Sequence, residues 1–120
     1  MLSYKKLKVW LFSMELVKEI YQLTKTYQKD EMFGLTSQTK RAAVSIPCNI
    51  AEGLGRKHKN DTIQFLHVSR GSAYEVETLI SIAVMTSIID QDNYDRINLM
   101  LENIIRILNG FIHHYEQKPQ

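Results

Sequence analysis

The sequence predicts an all-α protein, specifically an antiparallel up-down-up-down four-helix bundle. Long segments carry apolar residues at intervals of three and four, which is the spacing of one helix face. Only five glycines and two prolines occur in 120 residues, which favours long regular elements over many turns. Short polar segments separate the apolar ones, and helices joined by short loops pack antiparallel. With 44% hydrophobic residues, we expect one domain with one core, residues 1–120.

The first two helices are predicted over residues 7–27 and 36–54. Gly34 marks the turn between them, and Gly55 suits the left-handed conformation that ends many helices. The apolar row of the first helix is expected to face the core and comprises Val9, Phe12, Leu16, Ile20, Leu23 and Tyr27.

The third helix is predicted to start at residue 60 or 61 and to end near residue 87. Asp61 and Gln64 have the spacing of a capping box, whose side chains satisfy free N–H groups of the first turn. Residues 90–93 are interpreted as a turn and cap before the fourth helix, residues 93–116. Its apolar residues alternate at intervals of four and three: Ile97, Leu101, Ile104, Leu108, Phe111 and Tyr115.

A proline interrupts the apolar pattern of the second helix. Pro47 has no N–H and crowds the carbonyl of Ala43, so a continuous helix there costs about 3 kcal/mol and requires packing on both sides. A second stripe on this helix is polar and comprises Arg41, Ser45, Asn49, Glu52 and Arg56. We interpret it as a half-buried polar seam against another helix or subunit, because Ser and Asn are mediocre helix formers. An ordinary solvated face is the alternative.

The same segment resembles the signature of the 23S rRNA intervening-sequence protein family, which are small bacterial four-helix-bundle proteins. The residues that carry the resemblance are Arg41-Ala42-Ala43-Val44-Ser45-Ile46-Pro47, Asn49-Ile50-Ala51-Glu52-Gly53 and Gly55-Arg56, with matches upstream at Leu7-Lys8-Val9-Trp10 and downstream at Glu75 and Glu77. Cys48 stands where the family more often has a small residue such as Ser. The resemblance implies the bundle fold and a ring-like homopentamer. A related accessory protein of diversity-generating retroelements works with a reverse transcriptase and nucleic acid.

The composition favours a cytoplasmic protein. One cysteine excludes an intramolecular disulfide and fits a reducing compartment. The N-terminal residues lack the apolar segment of a signal peptide, and no uncharged segment approaches membrane-span length, so no membrane partner is expected. The net charge of +2 is too small to indicate nucleic-acid binding by itself.

No pattern of catalytic or metal-ligating residues emerges. No glutamate is followed three residues later by histidine, and the adjacent His113 and His114 diverge on a helix. Cys48, inside an apolar helix, is interpreted as a packing residue. The segment from Gly53 to Arg56 lacks the Gly-Lys-Ser/Thr of a phosphate loop. We therefore expect no metal, no cofactor and no enzymatic activity.

The placement of basic residues is the one chemical signal that indicates a partner. In an up-down-up-down bundle the start of the first helix, the loop between helices 2 and 3, and the C-terminus share one end. That end, which we call the basic end, contains Lys5, Lys6, Lys8, Arg56, Lys57, Lys59 and Lys118. We expect it to bind RNA or a nucleic-acid-bound protein through phosphates with little sequence specificity. The alternatives are solvated chain ends on a structural or protein-adaptor ring, or an enzyme built on Asn49 and Glu52.

The width of the apolar surface predicts self-association. Residues 79–85 are apolar nearly all round the third helix, and Met100 and Ile107 widen the apolar face of the fourth. A buried subunit interface accounts for this, with a generous core as the alternative. We expect a homo-oligomer, and a pentamer from the resemblance.

The loop near Lys57 also predicts how helices 2 and 3 align. Antiparallel packing sets Arg41 opposite Glu75, and Ala42 and Ala43 opposite Gly71 and Ser72. These small residues would let the two backbones approach closely. Because an unpaired carboxylate on an apolar flank is costly, we expect an Arg41–Glu75 ion pair, at least partly buried.

Overall fold

The computed structural model describes residues 3–119; residues 1, 2 and 120, which the predicted domain includes, lie outside this part. The described chain is helical and contains no strand, which confirms the all-α four-helix bundle. The helices are α1 (Lys8–Thr24), α2 (Ser37–Leu54), α3 (Lys59–Met85) and α4 (Gln91–Glu116). A 3₁₀ turn, Ser3–Lys6, precedes α1, and a 3₁₀ turn and a π-helical turn (Lys29–Glu31 and Met32–Thr36) connect α1 to α2.

The helices form an antiparallel ring about one core, 49 Å long and 22 Å across in both other directions. Helix α1 packs against α2 and α4, and α3 packs against the same two helices. The Ser69 hydroxyl of α3 donates to the Ile46 carbonyl of α2 at 2.9 Å, and Arg96 of α4 pairs with Glu19 of α1 at 2.7 Å. No helix within residues 3–119 combines the length and apolar character that a membrane span requires.

The predicted core is largely confirmed, with one correction in α1. The larger side chains that are completely or almost completely buried are Leu16, Ile20, Ile46, Ile50, Leu66, Ile80, Ile97, Leu101, Ile104 and Leu108. Phe12, which was expected in the core, is exposed beside α4, and the neighbouring Ser13 is buried instead. Ser13 is accommodated there because its hydroxyl donates to the Trp10 carbonyl at 2.8 Å.

Two predicted helix-end signals are wrong. Gly55 has φ −89° and ψ −3°, a right-handed conformation, because α2 closes through hydrogen bonds from Gly55 to Ala51 and from Arg56 to Gly53. Helix α3 begins at Lys59 after His58, so Asp61 lies inside the first turn and caps nothing. The predicted cap of α4 is confirmed, since an Asp90 side-chain oxygen accepts from the Asn93 N–H at 2.9 Å.

A serine supplies the left-handed residue that ends α3. Ser87 has φ 64°, and its N–H donates to the Val84 carbonyl at 3.1 Å. The next N–H, of Ile88, reaches back to the Ala83 carbonyl at 2.8 Å. These two bonds make a Schellman motif, in which glycine is the usual occupant of the Ser87 position.

Candidate nucleic-acid interface

The polar stripe on α2 divides into a seam and an exposed part. The hydroxyls of Ser45 and Ser72 lie 2.7 Å apart across the α2–α3 contact. The Asn49 amide donates to the Ser45 carbonyl at 2.8 Å and to its hydroxyl at 2.9 Å. Ser45 and Asn49 are therefore half-buried, and Ser45 contacts α3 while Asn49 is bonded to Ser45 within α2. Arg41, Glu52 and Arg56 of the same stripe are exposed in the single chain, because the stripe is wider than the contact between α2 and α3, and a contact with another subunit stays a prediction for them.

Close packing of α2 on α3 occurs at Gly53. The Thr62 hydroxyl donates to the Gly53 carbonyl at 2.7 Å, and a Cβ on Gly53 would lie 2.9 Å from the Phe65 Cβ. Gly71, by contrast, has open space around its Cβ position, so it is not part of the close approach that was expected there. Pro47 is buried within the continuous α2, as the packing argument required.

The expected Arg41–Glu75 ion pair is wrong, although the helix register is confirmed by the Ile46–Ser69 and Gly53–Thr62 bonds. Among the described residues, ion pairs join Arg56 to Glu52 and Arg96 to Glu19, but not Arg41 to Glu75. Both side chains are exposed. Each lies on the outer side of its helix, where water solvates the charge and no buried partner is needed.

Three separate parts of the chain converge at the basic end. Tyr4, in the turn before α1, lines a cavity of about 520 Å³ together with Cys48, Glu52, Gly55 and Arg56 of α2 and its end. The second cavity, of about 270 Å³, lies between the α2–α3 loop and the C-terminal segment. Its lining comprises Leu54, Arg56, Lys57, His58, Lys59, Thr62, Tyr115, Lys118 and Pro119.

The two chain ends are tied to the loop at this end of the bundle. The Lys59 ammonium donates to the Lys118 carbonyl, which links the start of α3 to the C-terminal segment. The turn that contains Lys5 and Lys6 packs against α2, and Lys8 opens α1; all three lysines are exposed. The fold therefore places these segments at one end, as the topology argument expected.

Arg56 lies between the two cavities and is held on two sides. Its guanidinium donates to the Glu52 carboxylate at 2.9 Å, and its Cζ lies 4.8 Å from the centroid of the Phe65 ring. A guanidinium stacked on an aromatic ring has a defined plane and position. The ion pair with Glu52 also compensates the one carboxylate that lines the first cavity.

Sequence reasoning missed the aromatic component of this end. Tyr4 and Tyr115 each line one of the two cavities, beside cationic side chains. The signal was present, since Tyr4 directly precedes Lys5 and Lys6, and Tyr115 lies three residues before Lys118. Cys48 was also misjudged, because it is exposed in the first cavity and not a packing residue.

The chemistry available at this end is anion binding combined with aromatic contact. Arg56, Lys57, Lys59 and Lys118 surround the second cavity, and His58 adds a ring nitrogen. Within residues 3–119, no three His, Cys, Asp or Glu side chains are grouped so that they could hold a metal ion. Cations beside tyrosines are the groups that bind phosphates and bases of nucleic acids.

Two further surfaces are relevant to protein partners: the exposed apolar part of α3, and a groove between α3 and α4. Of the apolar segment 79–85, Leu79, Ile80 and Ala83 are buried inside the bundle, so much of its width serves the core. Ile82 and Met85 remain exposed, with 38% and 75% of their surface accessible. A groove of about 450 Å³ lies between α3 and α4, lined by Tyr74, Glu77, Asn98, Leu101, Glu102, Ile105, Arg106 and Asn109.

Comparisons with known proteins give a family and a structural relative. Residues 5–110 match the family described as 23S rRNA-intervening sequence protein. The chain is similar to the crystal structure of a protein of unknown function from the S23 ribosomal protein family of Bacteroides thetaiotaomicron VPI-5482. The two share 27% identity with a TM-score of 0.81, over 87% of this chain and 97% of the other. No curated protein matches the chain at a significant level.

Proposed function

Because this chain belongs to the 23S rRNA-intervening sequence protein family, we propose that it binds RNA through its basic end. The observation that carries the proposal is the cavity where Arg56, Lys57, Lys59 and Lys118 converge from the loop and the C-terminal segment. Cations held together in a concave site attract a phosphate backbone without reading its sequence. The assignment of the structural relative to a ribosomal protein family supports an RNA-associated role.

The proposed activity is binding and not catalysis. The Asn49 amide, on which an enzymatic function of the seam would depend, donates to both Ser45 oxygens. Glu52 is paired with Arg56. These groups act in the bundle as structural contacts, which favours a binding role for the exposed cations around them.

We further propose that the protein acts as a homo-oligomer, with a pentamer as the expected ring. The exposed Ile82 and Met85 on α3, and Leu11, Phe12 and Met14 on α1, are apolar groups that a subunit contact would cover. A ring with parallel subunits repeats the basic end several times. Repetition raises overall affinity for one RNA chain without any new contact.

The test is RNA affinity after the cations of the loop are removed. We expect Arg56, Lys57 and Lys59 replaced together by Ala to weaken binding to a single-stranded RNA at moderate salt. Each lost phosphate contact should lower the slope of log affinity against log salt by roughly 0.7. We expect the same loss of RNA affinity when Lys5, Lys6 and Lys8 are replaced together by Ala. Circular dichroism should show an intact bundle, since the loop side chains are mostly exposed.

A matched control removes three positive charges elsewhere. Lys18, Lys25 and Lys29 are exposed, and their replacement by Ala changes the net charge equally. We expect this variant to bind RNA nearly as well as the wild type. Replacing Asp90, Asp92 and Asp95 with Asn at the opposite end should also leave binding in place. The proposal is wrong if the wild type has no RNA affinity at low ionic strength. It is also wrong if the control variant at Lys18, Lys25 and Lys29 loses as much affinity as the loop variant.

A second candidate function is that of a protein adaptor, which the groove between α3 and α4 favours. Leu101 and Ile105 form an apolar floor, and Tyr74 lies at its side, half exposed. Such a groove suits an amphipathic helix of a protein partner. Binding of a protein partner that is insensitive to salt, with no RNA affinity, would favour this function over the first.

A further inference from the structure

We propose that the basic end selects unpaired RNA, with bases contacting Tyr4 and Tyr115 on either side of Arg56. This proposal rests on the RNA-binding function. The relevant geometry is the sharing of one arginine by two cavities. Arg56 lines both the 520 Å³ cavity that contains Tyr4 and the 270 Å³ cavity that contains Tyr115. We call the surface made by these two cavities and the Arg56 that they share the track.

The concave shape favours single strands over duplexes. In a duplex the bases are stacked on each other, and the phosphates lie on a convex outer surface. An unpaired strand can turn its bases into a cavity and stack them on tyrosine or on an arginine plane. The basic residues alone would attract either form, so the tyrosines are what distinguish the two.

Both rings contact neighbouring side chains. The Tyr4 ring packs edge-on against Trp10 with 5.5 Å between centroids, and the Tyr115 ring packs edge-on against His114 at 5.4 Å. The Lys118 ammonium lies 4.8 Å from the Tyr115 centroid, over the ring. A base that stacks on this face displaces the ammonium towards the neighbouring phosphate. The same lysine therefore covers the ring in the free protein and contacts RNA in the complex.

Arg56 provides a third flat surface in this track. Its guanidinium lies over the Phe65 ring and donates to the Glu52 carboxylate. A base stacked on the opposite side of the guanidinium would place Arg56 between the base and the Phe65 ring. The Glu52 charge is compensated by Arg56 and so opposes the phosphates only weakly.

The experiment compares a ten-nucleotide oligouridylate with a ten-base-pair RNA duplex by fluorescence anisotropy. We expect the wild type to bind the single strand more tightly. Tyr115→Ala and Tyr4→Ala should each weaken single-strand binding by about tenfold, because base–aromatic stacking contributes that much per base. Their salt slopes and duplex affinities should stay unchanged. Tyr21→Ala is the matched control, since Tyr21 is exposed on α1 and lines neither cavity, and it should bind both RNAs like the wild type.

The unmodified protein offers an independent readout. Its single cysteine, Cys48, is exposed in the Tyr4 cavity, so bound oligouridylate should slow alkylation by iodoacetamide. Trp10, the single tryptophan, contacts Tyr4 and should change its fluorescence on binding.

Two results would overturn the inference while leaving the RNA-binding function intact. The first is a duplex that binds as tightly as the single strand. The second is full single-strand affinity in both tyrosine variants together with a loss of affinity in the loop triple-alanine variant. Absence of binding to either RNA at low ionic strength would overturn both proposals together.

Discussion

The Thr62 hydroxyl donates a 2.7 Å hydrogen bond to the Gly53 carbonyl, which joins the first turn of α3 to the last turn of α2. A Cβ at Gly53 would lie 2.9 Å from the Phe65 Cβ and 3.2 Å from the Thr62 carbonyl oxygen. Neither atom belongs to the free end of a flexible side chain. The two helices therefore approach closely enough here that only glycine fits.

Gly53→Ala should lower the free energy of unfolding by about 1–3 kcal/mol, because the added methyl group forces backbone shifts at this contact. Urea denaturation followed by circular dichroism measures the change. Gly110→Ala is the matched control, since its Cβ would meet nothing within 4 Å. In the interior of α4 that substitution should raise stability by about 0.5–1 kcal/mol. Equal effects of the two substitutions would contradict the packing argument.

Ser87→Gly should stabilise the protein by about 1 kcal/mol. Ser87 has φ 64°, a conformation that is strained for a residue with a side chain and free of strain for glycine. Thr86→Gly is the comparison, because Thr86 has φ −92° and gains nothing from the substitution. It also loses the hydrogen bond that its hydroxyl donates to Ile82 at 2.7 Å. Thermal unfolding should rank Ser87→Gly above the wild type and Thr86→Gly below it.

Tyr27→Phe should leave the fold unchanged and raise stability by about 1 kcal/mol. The Tyr27 hydroxyl is buried and finds no hydrogen-bond partner among the described residues, so removing it relieves a desolvation cost. Tyr21→Phe, at an exposed tyrosine, should change stability by less than about 0.5 kcal/mol. A loss of stability in Tyr27→Phe would mean that the hydroxyl is hydrogen-bonded in solution.

The same residue predicts a pH dependence. Burial raises the pKa of the Tyr27 phenol above its ordinary value of 10.0, so the folded protein retains the proton longer than the unfolded chain. The part of the free energy of unfolding that depends on a neutral Tyr27 phenol is fully present below pH 10.0. It is lost as the pH rises through the folded pKa. The stability of the wild type should therefore fall relative to Tyr27→Phe above pH 10. Parallel urea titrations at pH 8 and about pH 11 measure the difference.

Self-association should be visible by light scattering. At micromolar concentration we expect a mass several times the 14.0 kDa of one chain. Met85→Lys should reduce that mass, because it places a charge in the exposed apolar part of α3. Leu99→Lys is the control at a side chain of similar exposure, 64% against 75%, with polar neighbours on its own helix. A monodisperse wild-type monomer would refute the homo-oligomer and the affinity gain from repetition.

Much of the fold follows from local sequence. The intervals between Ile97, Leu101, Ile104 and Leu108 match the helix pitch, so their burial could be predicted without any knowledge of α1 to α3. The short loop near Lys57 likewise required α2 and α3 to be antiparallel, which predicted the register that joins Ile46 to Ser69. Helix ends were less predictable, as Gly55 and Asp61 illustrate, because several backbone solutions end or begin a helix equally well.

The candidate site needed more than local sequence. The topology predicted that basic residues would share one end, yet it did not predict that Tyr4, Arg56 and Tyr115 would line adjoining cavities there. Arg41 and Glu75 were predicted at the same level along the bundle axis, but their side chains face outwards. The physical reason is that height along a helix follows from residue number, whereas rotation about the helix axis follows from packing. Here that rotation depends on contacts such as Gly53 against Phe65, which exist only once the helices are assembled.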